Sequence, residues 1–244
     1  MTIPLIVEIA KKRFENITSQ IVHFVDDSEA NLFLNDLKNY PHAFVLSCLM
    51  DRQIKAEKAW LIPSQIKSIL GTFEIEELSK VKASEYKKIF SEKKLHRFND
   101  TMSEVFYCGV QDIINKYEGD ASKIWVNNPS SSTVVYRFLE FKGSGIKIAT
   151  MAANILARQF RVEFSDFYSI DISPDVHIKR VMKRMGFVPE NASNDMIIYK
   201  ARELNPDFPG IIDFSCWEIG RNWCHPRNPE CDICIVNNEC KKLI

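Results

Sequence analysis

Glycine and proline are scarce here, 8 and 10 of 244 residues. That excludes a collagen-like or low-complexity chain, and no Pro-, Gly- or Ser-rich linker separates one part from another. Any division into domains is therefore one of packing. Long apolar runs are also missing: the longest, Ala43 to Met50, is broken by Ser47, and a membrane span needs about 18–20 residues. The opening MTIPLIVEIAKKRF puts its charges after a short apolar stretch, the reverse of a secretory signal, so nothing argues for export. There is no internal repeat. There is no net charge either, since 32 basic residues balance 32 acidic ones.

What is present is an ordinary globular composition, 45% apolar and 26% charged, enough at this length to bury a sizeable core. The charge balance hides an uneven distribution. Residues 52–97 carry 11 basic and 6 acidic side chains, whereas residues 1–51 carry 4 and 7. Lys179, Arg180, Lys183 and Arg184 fall at helical spacing and would share a face. A local basic face is what phosphate contact needs, and a solvated helix surface is the plainer explanation of the same cluster.

Apolar residues recur at steps of three and four, which predicts an all-α chain. Helices are expected over 4–17, 28–38, 42–50, 54–70, 74–79, 83–90, 98–118, 130–140, 146–159, 174–185, 193–204 and 210–222. Asp26-Asp27-Ser28 and Pro129-Ser130-Ser131 have the character of N-terminal caps, and Gly119 and Gly186 of C-terminal stops. Arg161 to Ile172 has the character of an extended loop.

Four of the seven cysteines close the chain. Cys224, Cys231, Cys234 and Cys240 follow the pattern Cys-x6-Cys-x2-Cys-x5-Cys, crowding that suggests a metal site before disulfides. Zinc prefers two short-spaced pairs, and only one is short here. A [4Fe-4S] cube, taking one thiolate per iron, suits the uneven loop better. Zinc and unligated thiols are the other readings. Cys48, Cys108 and Cys216 sit in apolar helical contexts and read as buried small hydrophobes.

Two further stretches carry chemistry. In FKGSGIKIAT, Gly143 and Gly145 allow a tight turn whose amides face a helix start, a ready anion site, although most such turns merely connect helices. Lys147 follows, and a lysine acts as a nucleophile only when its pKa is depressed; otherwise it is a surface charge touching phosphate. In SPDVHIKRVMKRM, Asp175 stands where a helix cap is expected.

The cysteine spacing, preceded by Trp217-Glu218-Ile219-Gly220-Arg221, resembles the iron–sulfur loop of the endonuclease III family, base-excision DNA glycosylases of the helix-hairpin-helix superfamily. The Gly143–Gly145 turn resembles that family's phosphate-gripping hairpin, with Phe141-Lys142 standing where the family has Leu-Pro. Asp175-Val176-His177 with Arg180-Val181 resembles its Asp-x-His-x-x-Arg-Val, and SCLMDRQIKAEKAW its helix ending in a glutamine. The resemblance runs from about residue 28 to Cys240. It implies two helical domains with a DNA-binding cleft between them: a barrel over 28–157 ending in the hairpin, and a cluster domain of 1–27 plus 158–244.

By the same resemblance the partner is double-stranded DNA with a damaged or mismatched base, and the protein is an intracellular monomer without a membrane partner. Lys147 would attack the sugar and Asp175 would stabilise the charge that builds there. Gln53 would enter the duplex where the flipped base was, with Leu95 in KKLHRF as the wedge. His225 and Arg227 would face DNA from the loop after Cys224, beside a structural [4Fe-4S] cluster. The interval from Lys147 to Asp175 is longer than usual, and the insertion Glu163–Ile172 would line or cover the pocket; Asp166 and Asp171 within it compete with Asp175 for the acid role. Oxidised pyrimidines are the implied substrate. Because the sequence ends shortly after Cys240, adenine removal opposite 8-oxoguanine is less expected. The rival readings are a glycosylase using Asp-activated water, a non-catalytic DNA-binding module, and a zinc-binding structural domain. Trp60, Trp125, Trp217 and Trp223 are expected in the core rather than stacked on bases.

Overall fold

The periodicity of the chain is realised as helices throughout the computed structural model, which describes residues 3–16 and 21–244. Among the described residues these are α1 (Leu5–Asn16), α2 (Ser28–Asn35), α3 (Pro41–Met50), α4 (Ala56–Leu70), α5 (Ile75–Lys80) and α6 (Ala83–Lys93). After them come α7 (Asn99–Tyr117), α8 (Ser131–Leu139), α9 (Ile146–Arg158), α10 (Val176–Arg184), α11 (Asn194–Leu204) and α12 (Asp213–Asn222). Short 3₁₀ turns occupy Ala121–Ile124, Pro209–Ile212 and Cys231–Ile233. Every expected helix is found to within a few residues. Ile17, the last residue of the expected first helix, lies outside the described residues. No described helix is long and apolar enough to cross a membrane.

The chain divides into two units. One comprises Gln20–Pro129 with Tyr136–Ala152; the other comprises Met1–Ser19, Ser130–Val135 and Ala153–Ile244. The first unit is built around α3, whose ten residues are all buried. A helix that is apolar on every side must be surrounded, and α4 and α7 pack on it. Phe44 is the hub of this core, with Trp60, Trp125 and Phe138 at ring separations of 5.9, 6.0 and 6.5 Å. Asn31 bolts the incoming chain: its Oδ1 accepts from the Phe24 and Val25 amides and its Nδ2 donates to Val25 O.

In the second unit α10 lies on α12. A side chain at Gly220 would place its Cβ 2.6 Å from His177 Cβ, so only glycine lets the two helices close this far. Arg13 ties α1 to α12 through Glu218 at 2.5 Å, and Leu5 N donates to Glu239 at 2.7 Å. The 161–172 loop is indeed non-helical, and it is packed rather than loose. Phe167 stacks on Phe208 at 4.8 Å and meets Phe14 edge-on at 6.0 Å.

The caps act as their chemistry dictates. Asp27 accepts from Ala30 N at α2, and Ser130 Oγ from Thr133 N at α8. Gly119 and Gly186, at φ 79° and 77°, end their helices in the left-handed conformation that glycine adopts without strain. Trp60 and Trp125 are buried; Trp217 and Trp223 are half-buried. Cys48 and Cys216 are fully buried, while Cys108 is only partly so.

Candidate functional site

In the first unit, α3 ends at Met50 and the chain turns sharply, with Arg52 N donating to Met50 O at 2.7 Å. Gln53 follows at φ 57°, a left-handed conformation that costs a glutamine energy and that clusters at functional positions. The turn faces the hairpin. A pocket of about 460 Å³ is lined by Asp51, Arg52, Gln53, Gly143, Ser144, Gly145, Lys147 and Ile148. Residues expected from two separate motifs therefore surround one space: Gln53 from one, and Gly143, Gly145 and Lys147 from the other.

The hairpin geometry explains its sequence. Gly143 has φ 80°, and a Cβ there would stand 2.8 Å from Val105 Cγ2. Ser144 N donates to Phe141 O, closing the turn. Phe141, which replaces the expected leucine, is buried and stacked on Tyr117 at 5.9 Å, anchoring the hairpin to α7. Lys142 forms an ion pair with Glu104 on the same helix. α9 then opens with Ala149 N donating to Gly145 O, and amides before that point have no intrahelical acceptor. Ser144 Oγ is buried without a hydrogen-bond partner among the described residues. Lys147 is exposed within the first turn of α9.

Leu95 does not fit the wedge role. It is 2% exposed, with its amide bonded to Phe90 O where α6 ends. A wedge must reach solvent to enter a duplex, whereas the apolar residue of KKLHRF closes the core.

In the second unit Asp175 is the N-cap of α10. Its Oδ1 accepts from His177 N at 2.9 Å and Ile178 N at 2.8 Å. It is half-buried, so the capping role and access to a ligand coexist. The competing acids are committed elsewhere: Asp171 receives a bidentate Arg202 at 2.7 and 2.8 Å, and Asp166 accepts from Ser131 Oγ.

The expected basic face of α10 is not a free face. Arg180 donates from Nε to Cys224 O at 2.5 Å and from Nη2 to Gly220 O at 2.7 Å. Arg184 donates to His225 O at 2.6 Å and Pro226 O at 3.1 Å. Both guanidinium groups hold the start of the cysteine loop, because carbonyls from a turn 40 residues away converge on them. Lys183 approaches Glu190 at 3.9 Å.

Cys224, Cys231, Cys234 and Cys240 line one pocket, together with Val181, Met185, Ile219, Trp223 and Val236. Among the described residues no three His, Cys, Asp or Glu side chains are grouped so as to hold a single metal ion. The donor set fits a polynuclear thiolate-bound centre: four sulfurs, apolar walls, and N–H donors to sulfur from Arg184 to Cys224 at 3.5 Å and from Lys242 N to Cys240 at 3.4 Å. Burial pushes the Cys234 and Cys240 thiols up; a cationic metal centre is what stabilises such groups as thiolates. In the loop after Cys224, His225 lies 3.6 Å from Glu230, and Arg227 is exposed.

Arg52 and Ser144 were not singled out from sequence, though Arg52 adjoins Gln53 and Ser144 sits between the two glycines. Ser173 and Asp213, which meet just ahead of Asp175, carried no signal at all.

Comparison with known proteins bears on the fold and on the cysteine segment. Residues 224–240 match the iron–sulfur binding domain of endonuclease III. The endonuclease III of Thermotoga maritima is 31% identical over 70 residues, 29% of this chain and 33% of that protein, so the match spans a third of the relative's length. Among solved structures, a non-covalent endonuclease III–DNA complex superposes with TM-score 0.63 at 17% identity, covering 97% of this chain and 92% of that one. A thermostable thymine-DNA glycosylase gives 0.62 at 16% identity, covering 97% and 94%. An 8-oxoguanine glycosylase/lyase of Clostridium acetobutylicum bound to DNA gives 0.56 at 14%, covering 85% and 74%. The chain is endonuclease III-like in fold, and its residues 224–240 match the iron–sulfur binding domain of endonuclease III.

Proposed function

We propose that this chain is a base-excision DNA glycosylase that removes a damaged base, an oxidised pyrimidine by preference, and nicks the abasic strand through a lysine Schiff base. The observation that carries the reading is the pocket shared by Gln53, Gly143, Gly145 and Lys147: a nucleophile-bearing side chain beside backbone amides suited to a DNA phosphate, with a polar side chain able to take the place of an extruded base. The separate iron–sulfur binding domain match supports it.

In this mechanism the hairpin amides bind a phosphate and fix the strand. The Lys147 amine forms a bond from Nζ to C1′ while the glycosidic bond breaks and the base leaves with its electron pair, taking up a proton. Asp175, as carboxylate, stabilises the positive charge on the sugar. Ring opening gives the imine, and loss of a C2′ proton expels the 3′ phosphate. Cys224, Cys231, Cys234 and Cys240 would hold a [4Fe-4S] cluster, whose part would be structural: fixing the loop that presents His225 and Arg227.

The test is borohydride trapping on duplexes carrying single lesions. A covalent adduct that vanishes in Lys147→Ala, with excision falling at least about 100-fold in Asp175→Asn, is the expected result. Alkali-revealed abasic sites without trapping would demote Lys147 and leave Asp175 activating water. If neither product forms on a broad lesion panel while DNA still binds, the glycosylase reading fails in favour of a DNA-binding module.

A further inference from the structure

We propose that Asp213 is a positioning residue for Asp175; this rests on the catalytic reading of Asp175 given above. The chain reaching Asp175 is tethered at three successive points. Ile170 O accepts from Gly210 N at 2.6 Å. The Asp171 carboxylate takes both Arg202 bonds. Ser173 N donates to Asp213 Oδ2 at 2.6 Å. Ile170, Asp171, Ile172 and Ser173 are each at most 7% exposed. An insertion of this length could have been a loose flap; instead it is drawn against α11 and α12.

The last tether matters most for Asp175 because of what lies between. Only Pro174 separates Ser173 from Asp175, and its ring locks φ, removing a soft torsion from the link. On the far side the Asp175 carboxylate is itself held by the His177 and Ile178 amides. Backbone fixed before the residue and side chain fixed after it leave Asp175 little freedom, the condition for a group that must meet developing charge in one geometry.

Asp213 is in turn held in place. It is the first residue of α12, where the helix start favours an anion. Arg158, 8% exposed, supplies the opposite charge: burial lowers its pKa to about 10, the Asp213 field opposes that fall, and the group stays cationic at neutral pH. Its guanidinium lies over the Phe214 ring at 4.3 Å, the neighbour of Asp213.

The experiment compares Asp213→Ala and Asp213→Asn in the full chain, reading amide hydrogen exchange at His177 and Ile178 together with single-turnover excision and duplex affinity. In Asp213→Ala, exchange at those two amides is expected to quicken at least tenfold, and excision to slow about 30-fold with affinity kept within twofold. Placed in an Asp175→Asn background, the same change is expected to cost less than a further twofold, since its effect runs through Asp175. Asp213→Asn retains an oxygen for Ser173 N and recovers most of the rate. Should the alanine protein not fold, Asp213→Ser, too short to reach Ser173 but still polar beside Arg158, takes its place. Unchanged exchange, a full multiplicative loss on Asp175→Asn, or an asparagine variant as slow as alanine overturns the proposal. A wild-type protein that excises nothing, with the exchange result intact, removes the glycosylase reading and leaves the tether standing.

Discussion

Two glycines two residues apart should fail in different ways, and the difference tests the hairpin as a phosphate site. Gly143 sits at φ 80°, and an added Cβ meets Val105 Cγ2 at 2.8 Å. The left-handed conformation costs a non-glycine residue about 1–2 kcal/mol. Val105 is β-branched and stiff at χ1, so relieving the contact adds roughly 1 kcal/mol. Gly143→Ala is thus expected to lose about 2–3 kcal/mol, which for a chain of this size lowers Tm by about 4–12 °C. Gly145 differs: its φ is not in the left-handed region, and nothing lies within 4 Å of its added Cβ. Gly145→Ala should leave stability within about 0.5 kcal/mol of wild type, yet put a methyl group where a phosphate would approach the amides. A hydrogen bond to a charged group is worth about 1.5–3 kcal/mol, so losing one predicts roughly 10–100-fold weaker duplex binding. Urea unfolding and fluorescence anisotropy at one fixed salt concentration read the two quantities separately. Gly145→Ala binding DNA as wild type would refute the phosphate site; Gly143→Ala as stable as wild type would refute the steric reasoning.

Two more expectations follow from the rest of the molecule. Cys234→Ser protein should purify colourless, with iron and sulfide near zero and a lower Tm than the yellow-brown wild type; retained iron at wild-type stoichiometry would count against a four-cysteine cluster. Stability should also depend on pH through His42 and His96, whose pKa values burial lowers, against carbonyl contacts to Phe73 and Met50 respectively. Their folded pKa values lie below the unfolded value of about 6.5, so the unfolded chain binds more protons in acid. Unfolding free energy should be level above about pH 7 and fall as pH drops below about 6.5. His42→Phe, which keeps the stacking on Phe73 but loses the hydrogen bond, should start less stable and show a shallower slope between pH 7 and 5.5; an unaltered slope would exclude His42 as a contributor.

The helices and their ends were legible in the sequence because their causes are local. Apolar periodicity, Asp27 and Ser130 as caps, and Gly119 and Gly186 as stops each act within about one turn of themselves. The cysteine pocket was legible for a related reason: its four thiols lie within 17 residues, so spacing alone nearly prescribes their meeting. Gln53, Gly143 and Lys147 each stood out individually, but that they line one space depends on α3 ending where the hairpin packs on α7. Burial was the part that could not be read. Leu95 looked available and is closed over by its own unit, while Arg180 and Arg184 looked like a charged surface and are spent on carbonyls of the cysteine loop. Asp213 meets Ser173 across a separation of 40 residues. A local pattern records which face of a helix is apolar; which polar groups find partners depends on what the fold brings from elsewhere in the chain, and that is set by packing.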